Sequence, residues 1–452
     1  MSKPLTTPAR GMRDFLPEDV RKRSHVIGVI RDVYERYGFE PLETPAVENI
    51  ETLLGKYGEE GDRLIFKILK RGEEGRQTGD ADLALRYDLT VPLARVVAEY
   101  HGALPKFFKR YQIQPVWRAD RPQKGRFREF YQCDVDAIGS TSPVIEAEVC
   151  GAVSDVLERL GFTDFVIRLN HRELLRALLD VSGVPADLHD SALIAVDKLD
   201  KVGRDGVVAE LERRGVGAEA ATRTLDAFGT STSPVAQAGA STDVEARLAS
   251  LLAGHEGGTR ALENVRAVIA GAASTSAGAH LRLDPGLARG LSYYTGAIFE
   301  IAVPDLAGSL GGGGRYDNLV GMFLGQGVPA CGFSLGLERI LVVMTERGMF
   351  PDDVTASAAD VLVTLWNAET VGESLTLARQ LRAAGLRVEV YPDADKIGKQ
   401  LKYASSRHAR YAVIAGDDER AKGSVMVKDL ESGQQSEVPH GQLAEWFGAR
   451  RR

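Results

Sequence analysis

A basic loop between two strand-like pieces is the most chemically distinctive feature of the sequence. It reads VWRADRPQKGRFREF over residues 116–130, with a proline and a glycine near its centre. Binding a phosphate ester requires fixed cationic donors, and the planar guanidinium fork of arginine pairs with phosphate oxygens. Arg118 and Arg126 are therefore candidate phosphate ligands. A solvated basic face is the alternative interpretation.

A segment with alternate glycines, GFSLGLER at 332–339, predicts a strand that turns into a helix. Such glycines allow close approach to the backbone, either by a ligand or by a tightly packed neighbouring strand, and the spacing leaves both open. With Arg339 at the helix start, its guanidinium would cover one face of a purine while Phe130 covered the other. Each of these contacts would contribute on the order of 1 kcal/mol.

Two further segments combine arginine, tyrosine and glycine. LARGLSYYTG (287–296) places Arg289 before Tyr293 and Tyr294, and GGGGRYD follows at 311–317. The glycine run lacks the GK[ST] ending of a phosphate-binding loop and the GxGxxG of a dinucleotide fold. By themselves, these segments also fit ordinary core and a flexible hairpin.

The stretch after the basic loop predicts a strand with one polar side, because residues 127–136 alternate and successive side chains of a strand point oppositely. The residues on that side are Arg128, Phe130, Gln132, Asp134 and Asp136. Such a face either lies in solvent or contacts a ligand.

Local patterns predict the elements that must position these residues. A Pro-Glu-Asp run at 17–19 begins a helix that ends near Gly38. Residues 83–87 alternate like a strand, and a helix follows with Thr90 as its capping residue. Between 170 and 279 the composition shifts to Ala, Gly, Ser and Thr with helical stretches, which predicts an inserted helical module.

Strands alternate with amphipathic helices near the C-terminus. The predicted strands are 361–366, 388–391 and 411–415, with helices at 369–384 and 396–408 between them. This spacing predicts a compact parallel α/β domain. Its second helix contains or adjoins a basic cluster formed by Lys396, Lys399, Lys402, Arg407 and Arg410.

The composition describes a globular chain of about three domains. It has 452 residues, 44% hydrophobic and 26% charged, with a net charge of -7, which excludes extensive disorder. Its cysteines, Cys133, Cys150 and Cys331, are far apart and form no CxxC pair, so we expect a reducing compartment and no structural zinc. The N-terminus lacks the apolar core of a signal peptide, and no apolar run approaches the roughly 18 residues of a membrane span. We expect a cytoplasmic protein.

In this order, the segments together resemble the histidyl-tRNA synthetases, a family of class II aminoacyl-tRNA ligases. The resemblance covers nearly the whole chain. Its most specific parts are LARGLSYYTGAIFE (287–300) and GGGRYDN (312–318), which look like the two histidine-family signatures. The three class II motifs would be the region around Pro45, the Arg118 loop and the Arg339 segment.

The resemblance implies roles in binding and activating ATP. Arg118 resembles the arginine that holds the α-phosphate, and Arg126 one that reaches the outer phosphates. Phe130 and Arg339 resemble the pair that sandwiches adenine. Arg289 looks like the catalytic arginine between the histidine carboxylate and the α-phosphate, so Arg289 and Arg118 would be catalytic. ATP would enter as its Mg²⁺ complex, and no zinc is implied.

The resemblance also implies a histidine pocket. Its residues would be Asp88, Thr90, Gln132, Asp136, Arg289, Tyr293 and Tyr294. Asp88 and Thr90 would contact the amino group, with Gln132 beside the amino acid. Asp136 and Tyr294 would each bond one imidazole nitrogen, which selects against rings that lack either partner.

Aspartate stands at Asp88, Asp120 and Asp136, where many class II or bacterial members of the family carry glutamate. The side chain is one methylene shorter, so the contacts of these carboxylates differ. The tip of the basic loop resembles the one that reads the extra 5′ guanosine of histidine tRNA. Arg121 and Gln123 are therefore candidate tRNA contacts.

The implied architecture is an α+β catalytic domain with a mostly antiparallel sheet, of the class II aminoacyl-tRNA synthetase type, over residues 1–170 and 279–345. A helical insertion would span 171–278, a linker 346–358, and a C-terminal α/β anticodon-binding domain 359–452. Histidine, ATP and histidine tRNA would be the partners, and the family implies a homodimer.

The predicted activity is histidine–tRNA ligation through histidyl-adenylate. An alternative is the catalytically inactive, histidine-binding regulatory subunit of ATP phosphoribosyltransferase, which resembles the same catalytic domain. That subunit lacks an anticodon-binding domain, whereas this chain continues from Asp360 to Phe447, and Arg118, Arg289 and Arg339 are all in place. A plain nucleotide-binding α/β protein is a further alternative, although neither phosphate-loop fingerprint is present.

Overall fold

The computed structural model describes residues 6–72, 78–229, 241–288, 293–306, 308–355 and 359–450. The chain divides into two compact units, with the boundary between Phe350 and Pro351. Each unit has its own sheet and its own hydrophobic core. Among the described residues, no helix is both long enough and apolar enough to span a membrane.

Eleven described strands belong to the first unit. They are β1 (Glu40–Pro41), β2 (Val47–Asn49), β3 (Lys67–Leu69), β4 (Ala81–Leu85), β5 (Phe108–Trp117), β6 (Glu129–Ile138), β7 (Val166–His171), β8 (Leu281–Leu283), β9 (Ala297–Ala302), β10 (Ser309–Arg315) and β11 (Ala330–Gly336). Eight of them form one sheet in the order β1-β5-β6-β11-β10-β9-β7-β8, and β2-β4-β3 form a small second sheet. In the large sheet β1–β5 and β7–β8 pair in parallel and the five central pairings are antiparallel, which confirms the predicted mostly antiparallel sheet.

The helices of the first unit pack on and between these strands. They are α1 (Pro17–Arg36), α2 (Ile50–Leu53), α3 (Gly58–Arg63), α4 (Thr90–Glu99), α5 (Val144–Arg159), α6 (Arg172–Val181), α7 (His189–Val196), α8 (Leu199–Arg213), α9 (Ala218–Phe228), α10 (Ser241–Leu251), α11 (Glu256–Ala272), α12 (Gly321–Leu324) and α13 (Leu337–Glu346). Helices α6 to α11 all lie between β7 and β8 in the chain, where the sequence predicts a helical module.

Residues within helix α1 and at its start are sufficient to predict where this helix begins and ends. Pro17 occupies the first turn, where its missing N–H costs nothing, and Glu18 and Asp19 lie at the positive end of the helix dipole. The residues on its buried face are Val26, Ile30, Val33 and Tyr34. Both the start and the end of this helix match the prediction.

The glycine run 311–314 lies in the central strand β10, so the prediction of a flexible hairpin is wrong. Neighbouring strands approach it closely on both sides. A Cβ placed on Gly313 would lie 2.7 Å from the Cα of Phe333, and one on Gly314 would lie 2.5 Å from the carbonyl oxygen of Ala297. Glycine is needed here because a side chain would collide with backbone.

The second unit contains a five-stranded mixed sheet. Its strands are β12 (Val361–Val363), β13 (Val388–Val390), β14 (Tyr411–Ile414), β15 (Ser424–Asp429) and β16 (Gln435–Pro439), and its helices are α14 (Asp352–Thr355), α15 (Val371–Ala383), α16 (Ile397–Ser406), α17 (Asp417–Lys422) and α18 (Leu443–Gly448). The order is β13-β12-β14-β15-β16. The three predicted strands pair in parallel, as expected, and β15 and β16 add antiparallel pairings that the sequence did not predict.

The predicted basic cluster in the second unit is exposed. Acidic side chains from outside the run 396–410 nevertheless pair with it. Lys399 lies 2.7 Å from Asp395, and Arg407 lies 3.4 Å from Glu389. Three-dimensional contacts therefore reduce the net positive charge that the run alone indicates.

Candidate active site

The polar side of β6 is buried. Gln132, Asp134 and Asp136 expose 8%, 1% and 3% of their surfaces, so the alternative of a solvent-exposed face is wrong. The directly paired residues on β5 are Gln114, Gln112 and Arg110, respectively. Because directly paired residues share a face of the sheet, these side chains form one buried polar layer.

Glycines on the adjacent strands leave space that two side chains occupy over this part of the sheet. Gly332 pairs directly with Asp136, and a Cβ placed on it would lie 2.5 Å from the carboxyl carbon of that aspartate. One strand further, a Cβ on Gly314 would lie 3.0 Å from the ring of Tyr294. The glycines thus make room for Asp136 and Tyr294, the two side chains predicted to read an imidazole.

Asp136 is held by two further side chains. Oδ2 lies 2.8 Å from Nη2 of Arg110, and the hydroxyl of Tyr316 donates to Oδ1. Asp134 lies 4.0 Å from the same guanidinium group. Burial raises the pKa of both aspartates, that of Asp134 to about 7, and the Arg110 charge opposes the rise.

Asp88 lies at the start of α4. Its Oδ1 accepts hydrogen bonds from the backbone N–H of Val91 at 3.1 Å and from the hydroxyl of Tyr57 at 2.9 Å. The hydroxyl of Tyr293 donates to Oδ2 at 3.4 Å. Asp88 therefore caps this helix, and the prediction that Thr90 is the cap is wrong, since Thr90 is the first residue of the helix itself.

Gln132 is fixed by a neighbouring strand. Its Nε2 donates to Oγ of Ser334 at 2.8 Å. Its Oε1 is buried and has no hydrogen bond within the part of the chain that the structure describes. This acceptor is therefore available to a bound donor such as an ammonium group.

Arg118 lies between two aromatic rings. Its Nε donates to the carbonyl oxygen of Tyr87 at 3.0 Å, and its guanidinium carbon lies 4.3 Å from the centre of that ring. The ring of Phe130 is 5.1 Å away on β6. The structure thus brings Arg118 and Phe130 together and limits the orientations of the guanidinium.

The basic loop ends in a tight turn. Backbone hydrogen bonds join Gln123 and Arg126 in both directions, and Gly125 has a φ of +69°, a conformation that glycine favours. The Arg126 side chain forms a two-pronged contact with Asp120 at 2.8 and 2.9 Å. Arg126 is thus oriented by a carboxylate, while Arg121 and Gln123 are exposed at the tip.

Arg339 connects the loop to the sheet. Its Nη1 donates to the carbonyl oxygen of Ser309 at 2.6 Å, and its Nε to that of Gly125 at 3.4 Å. Because Gly125 is part of the basic loop, the structure places the Arg339 segment and the Arg118 loop side by side, as the sequence predicts.

Sequence reasoning missed Glu338, the residue before Arg339. Its Oε2 accepts the backbone N–H of Tyr131 at 2.9 Å, and its Oε1 lies 2.9 Å from Nη1 of Arg23 and 4.0 Å from Nη2 of Arg13. This buried carboxylate ties the start of α13 to β6 and α1. The sequence does place an acidic residue in the first turn of a predicted helix, but this pattern does not indicate which residues its carboxylate contacts.

Shared contact partners connect the predicted histidine-pocket residues that the structure describes. The rings of Tyr293 and Tyr294 are 5.1 Å apart, and Tyr293 lies 6.0 Å from Tyr316, which holds Asp136. The predicted catalytic Arg289 lies outside the described residues. Three contributors were not predicted, namely Arg110, Tyr57 and Tyr316, although Tyr316 stands inside the GGGRYDN segment.

Known proteins are similar to this chain in sequence. A family model described as histidyl-tRNA synthetase matches residues 11–340, and one described as an anticodon binding domain matches 360–450. A histidine–tRNA ligase of Flavobacterium johnsoniae is 41% identical over 465 residues, which cover 95% of this chain and 96% of the relative. The chain belongs to the histidyl-tRNA synthetase family.

Solved structures related to the histidyl-tRNA synthetase family share this fold. Histidyl-tRNA synthetase from Nostoc sp. PCC 7120 superposes with a TM-score of 0.82 at 32% identity, over 99% of this chain and 100% of that one. A Bacillus halodurans protein described as an ATP phosphoribosyltransferase regulatory subunit/histidyl-tRNA synthetase gives 0.71 at 23% identity, over 90% of this chain and 98% of that one. The second likeness concerns the fold alone.

Metal ligands do not cluster in the described part of this synthetase-family chain. No group of three or more His, Cys, Asp or Glu side chains there is arranged to hold a metal ion. Cys133, Cys150 and Cys331 are buried and unpaired with one another. Class II synthetases use ATP with Mg²⁺, which enters with the nucleotide.

Proposed function

We propose that this chain is a histidine–tRNA ligase. It converts histidine and ATP to histidyl-adenylate and pyrophosphate, then transfers the histidyl group to the 3′ end of histidine tRNA. The observation that carries the proposal is the similarity to histidine–tRNA ligases over 95% of the chain. The buried Asp136 carboxylate and Tyr294, which interact electrostatically, support the same amino acid.

The pair formed by Asp136 and Tyr294 suits an imidazole ring. The Asp136 carboxylate accepts a hydrogen bond from one ring nitrogen, and the Tyr294 hydroxyl bonds the other. An amino acid without these nitrogens leaves buried polar groups unpaired, and such a site can reject it by roughly 10⁴-fold. We assign Asp88, Thr90 and Gln132 to the amino-group side, with Tyr293 holding Asp88 in place.

Activation requires charge stabilisation rather than a protein nucleophile. The histidine carboxylate attacks the α-phosphorus of ATP and pyrophosphate leaves. Arg118, restrained by Tyr87 and Phe130, and Arg289 would stabilise the negative charge that develops at phosphorus. Mg²⁺ bound to the phosphates adds positive charge. Arg126 would bind the outer phosphates, and Phe130 with Arg339 would enclose adenine.

Transfer to tRNA engages other surfaces. We propose that residues 359–452 bind the anticodon, which the match to an anticodon binding domain supports. The basic cluster from Lys396 to Arg410 is the candidate anticodon surface, and phosphate contacts there would make binding salt-dependent. The exposed loop tip with Arg121 and Gln123 would read the extra 5′ guanosine of histidine tRNA. Residues 1–170 and 279–345 would be the catalytic domain, with 171–278 inserted and 346–358 as the linker. We further propose a cytoplasmic homodimer.

Histidine-dependent ATP–pyrophosphate exchange tests the function. We expect exchange with histidine and none with the other nineteen amino acids. Saturable histidine binding without exchange would instead indicate the regulatory subunit of ATP phosphoribosyltransferase. It would leave the C-terminal unit without an explanation.

Arg289→His tests the catalytic arginine that the resemblance implies. The variant should bind ATP nearly as well as the parent while adenylate forms far more slowly, because the arginine charge acts mainly in the transition state. Nucleotide titration and single-turnover adenylate formation separate the two effects. Full pyrophosphate exchange by the variant would remove this role from Arg289.

A further inference from the structure

Buried polar atoms without hydrogen bonds concentrate at one place in the described structure. Seven of the ten such side-chain atoms belong to five neighbouring residues of β5 and β6. These residues are Arg110, Gln112, Gln132, Asp134 and Asp136. Buried polar groups usually find partners, so a concentration of this kind indicates a place kept for binding rather than for stability.

Arg110 lies at the centre of this group and is completely buried. Its Nη2 is 2.8 Å from Oδ2 of Asp136 and 4.0 Å from Oδ2 of Asp134, yet none of its three nitrogens forms a well-directed hydrogen bond among the described residues. Burying a charge in this way contributes little to stability, and an apolar residue of similar volume often does as well. A role in ligand binding accounts for the arginine better.

Asp136 depends on its neighbours for its position. Gly332 gives it space on β11, Tyr316 donates to Oδ1, and Arg110 contacts Oδ2 from the paired strand. The groups that act on Asp136 or share its electrostatic environment are Arg110, Asp134, Asp88, Tyr316, Tyr294, Tyr34 and Cys331. Of these, Arg110 is the cation and favours the ionised carboxylate most strongly, and the hydrogen bond from Tyr316 acts in the same direction.

We propose that Arg110 is a positioning residue for histidine recognition, which holds the Asp136 carboxylate in the orientation that reads the imidazole ring. The proposal rests on the proposed function, because Asp136 reads a ring only if histidine is the substrate.

Arg110→Met removes the charge while keeping a long apolar side chain. With Asp134 and Asp88 nearby, the buried Asp136 then takes up a proton more readily, and the neutral carboxyl group is a weaker acceptor for the imidazole N–H than the carboxylate. We expect the KM for histidine to rise on the order of 10- to 100-fold, as for loss of a charged hydrogen bond. The KM for ATP should change less than about 2-fold, and the histidine defect should shrink as pH rises.

Arg168→Met is the matched control. Arg168 is also buried in the large sheet and is bound to two carboxylates, Asp284 at 2.6 Å and Glu300 at 3.0 Å, but it lies on β7. Its loss should lower the unfolding temperature and leave the KM for histidine unchanged. Arg110→Lys restores the charge with one compact donor and should recover part of the affinity.

Pyrophosphate exchange at several pH values, together with thermal unfolding, decides between the outcomes. An Arg110→Met protein with an unchanged KM for histidine, or an Arg168→Met protein with an equal rise, overturns the assignment. If Arg110→Met does not fold, the neutral Arg110→Gln variant decides: a raised KM for histidine alone supports the role, and a parental KM for histidine refutes it. A parent without histidine-dependent exchange refutes the proposed function itself.

Discussion

Gly332→Ala should disable histidine activation through a single methyl group. Gly332 of β11 pairs directly with Asp136 of β6. A Cβ at this position would lie 2.5 Å from the carboxyl carbon of Asp136 and 2.9 Å from the carbonyl oxygen of Val135. The second contact is with backbone, so the strain cannot be removed by turning one side chain.

The expected magnitude follows from these distances. Ordinary contact begins at about 3.4 Å, so the Asp136 carboxylate must move by about 1 Å or the two strands must separate. The carboxylate is held by Arg110 and Tyr316, so its movement also disturbs those contacts. A displacement of about 1 Å can cost on the order of 10²-fold in activity, and overpacking costs about 1–3 kcal/mol of stability.

The assay is histidine-dependent pyrophosphate exchange beside urea unfolding. We expect kcat/KM for histidine to fall about 10²-fold, with the variant still folded at 25 °C. Gly28→Ala is the control, because nothing lies within 4 Å of a Cβ at Gly28 in helix α1. That change should leave activity intact and stabilise the helix by about 0.5–1 kcal/mol. A Gly332→Ala enzyme with parental kcat/KM for histidine would refute the steric reasoning.

Three further substitutions test other contacts. Arg118→Lys removes the planar guanidinium group that lies beside Tyr87. The kcat for adenylate formation should fall about 10²-fold without a change in the unfolding midpoint. A parental kcat would contradict the role of Arg118 in stabilising the transition state. Glu338→Gln leaves Arg23 buried without its charge partner. The free energy of unfolding, measured by urea titration, should fall by about 3 kcal/mol. Parental stability would show that the Arg23–Glu338 ion pair does not stabilise the fold. His171→Asn keeps a capping acceptor for α6 but removes a group whose pKa burial lowers to about 4. Between about pH 4 and 6.5 the unfolded parent binds more protons than the folded parent, so its free energy of unfolding rises with pH. The free energy of unfolding of the variant, measured by denaturant titration at each pH, should rise less steeply. Equal slopes for the two proteins would exclude this linkage.

Local patterns were sufficient where neighbouring residues determine the structure. The proline and acidic residues at the start of α1 and the alternation along β6 depend on contacts within a few residues, so both elements could be predicted. The chemical class of the site was also predictable, because arginines, aromatic residues and glycines stand in characteristic segments. The family similarity confirms the activity that those segments indicated.

Only the tertiary structure decided which of these residues meet and in what state. Glu338 binds Arg23, 315 positions earlier, and Arg110 meets Asp136 through the register of β5 and β6. Neither partner is visible in a local pattern, because strand register depends on how distant segments pack. The glycine run likewise became a central strand, because neighbouring strands fill the space around it. The sequence determined the elements and the type of chemistry, while packing of distant segments determined the geometry and the burial on which recognition depends.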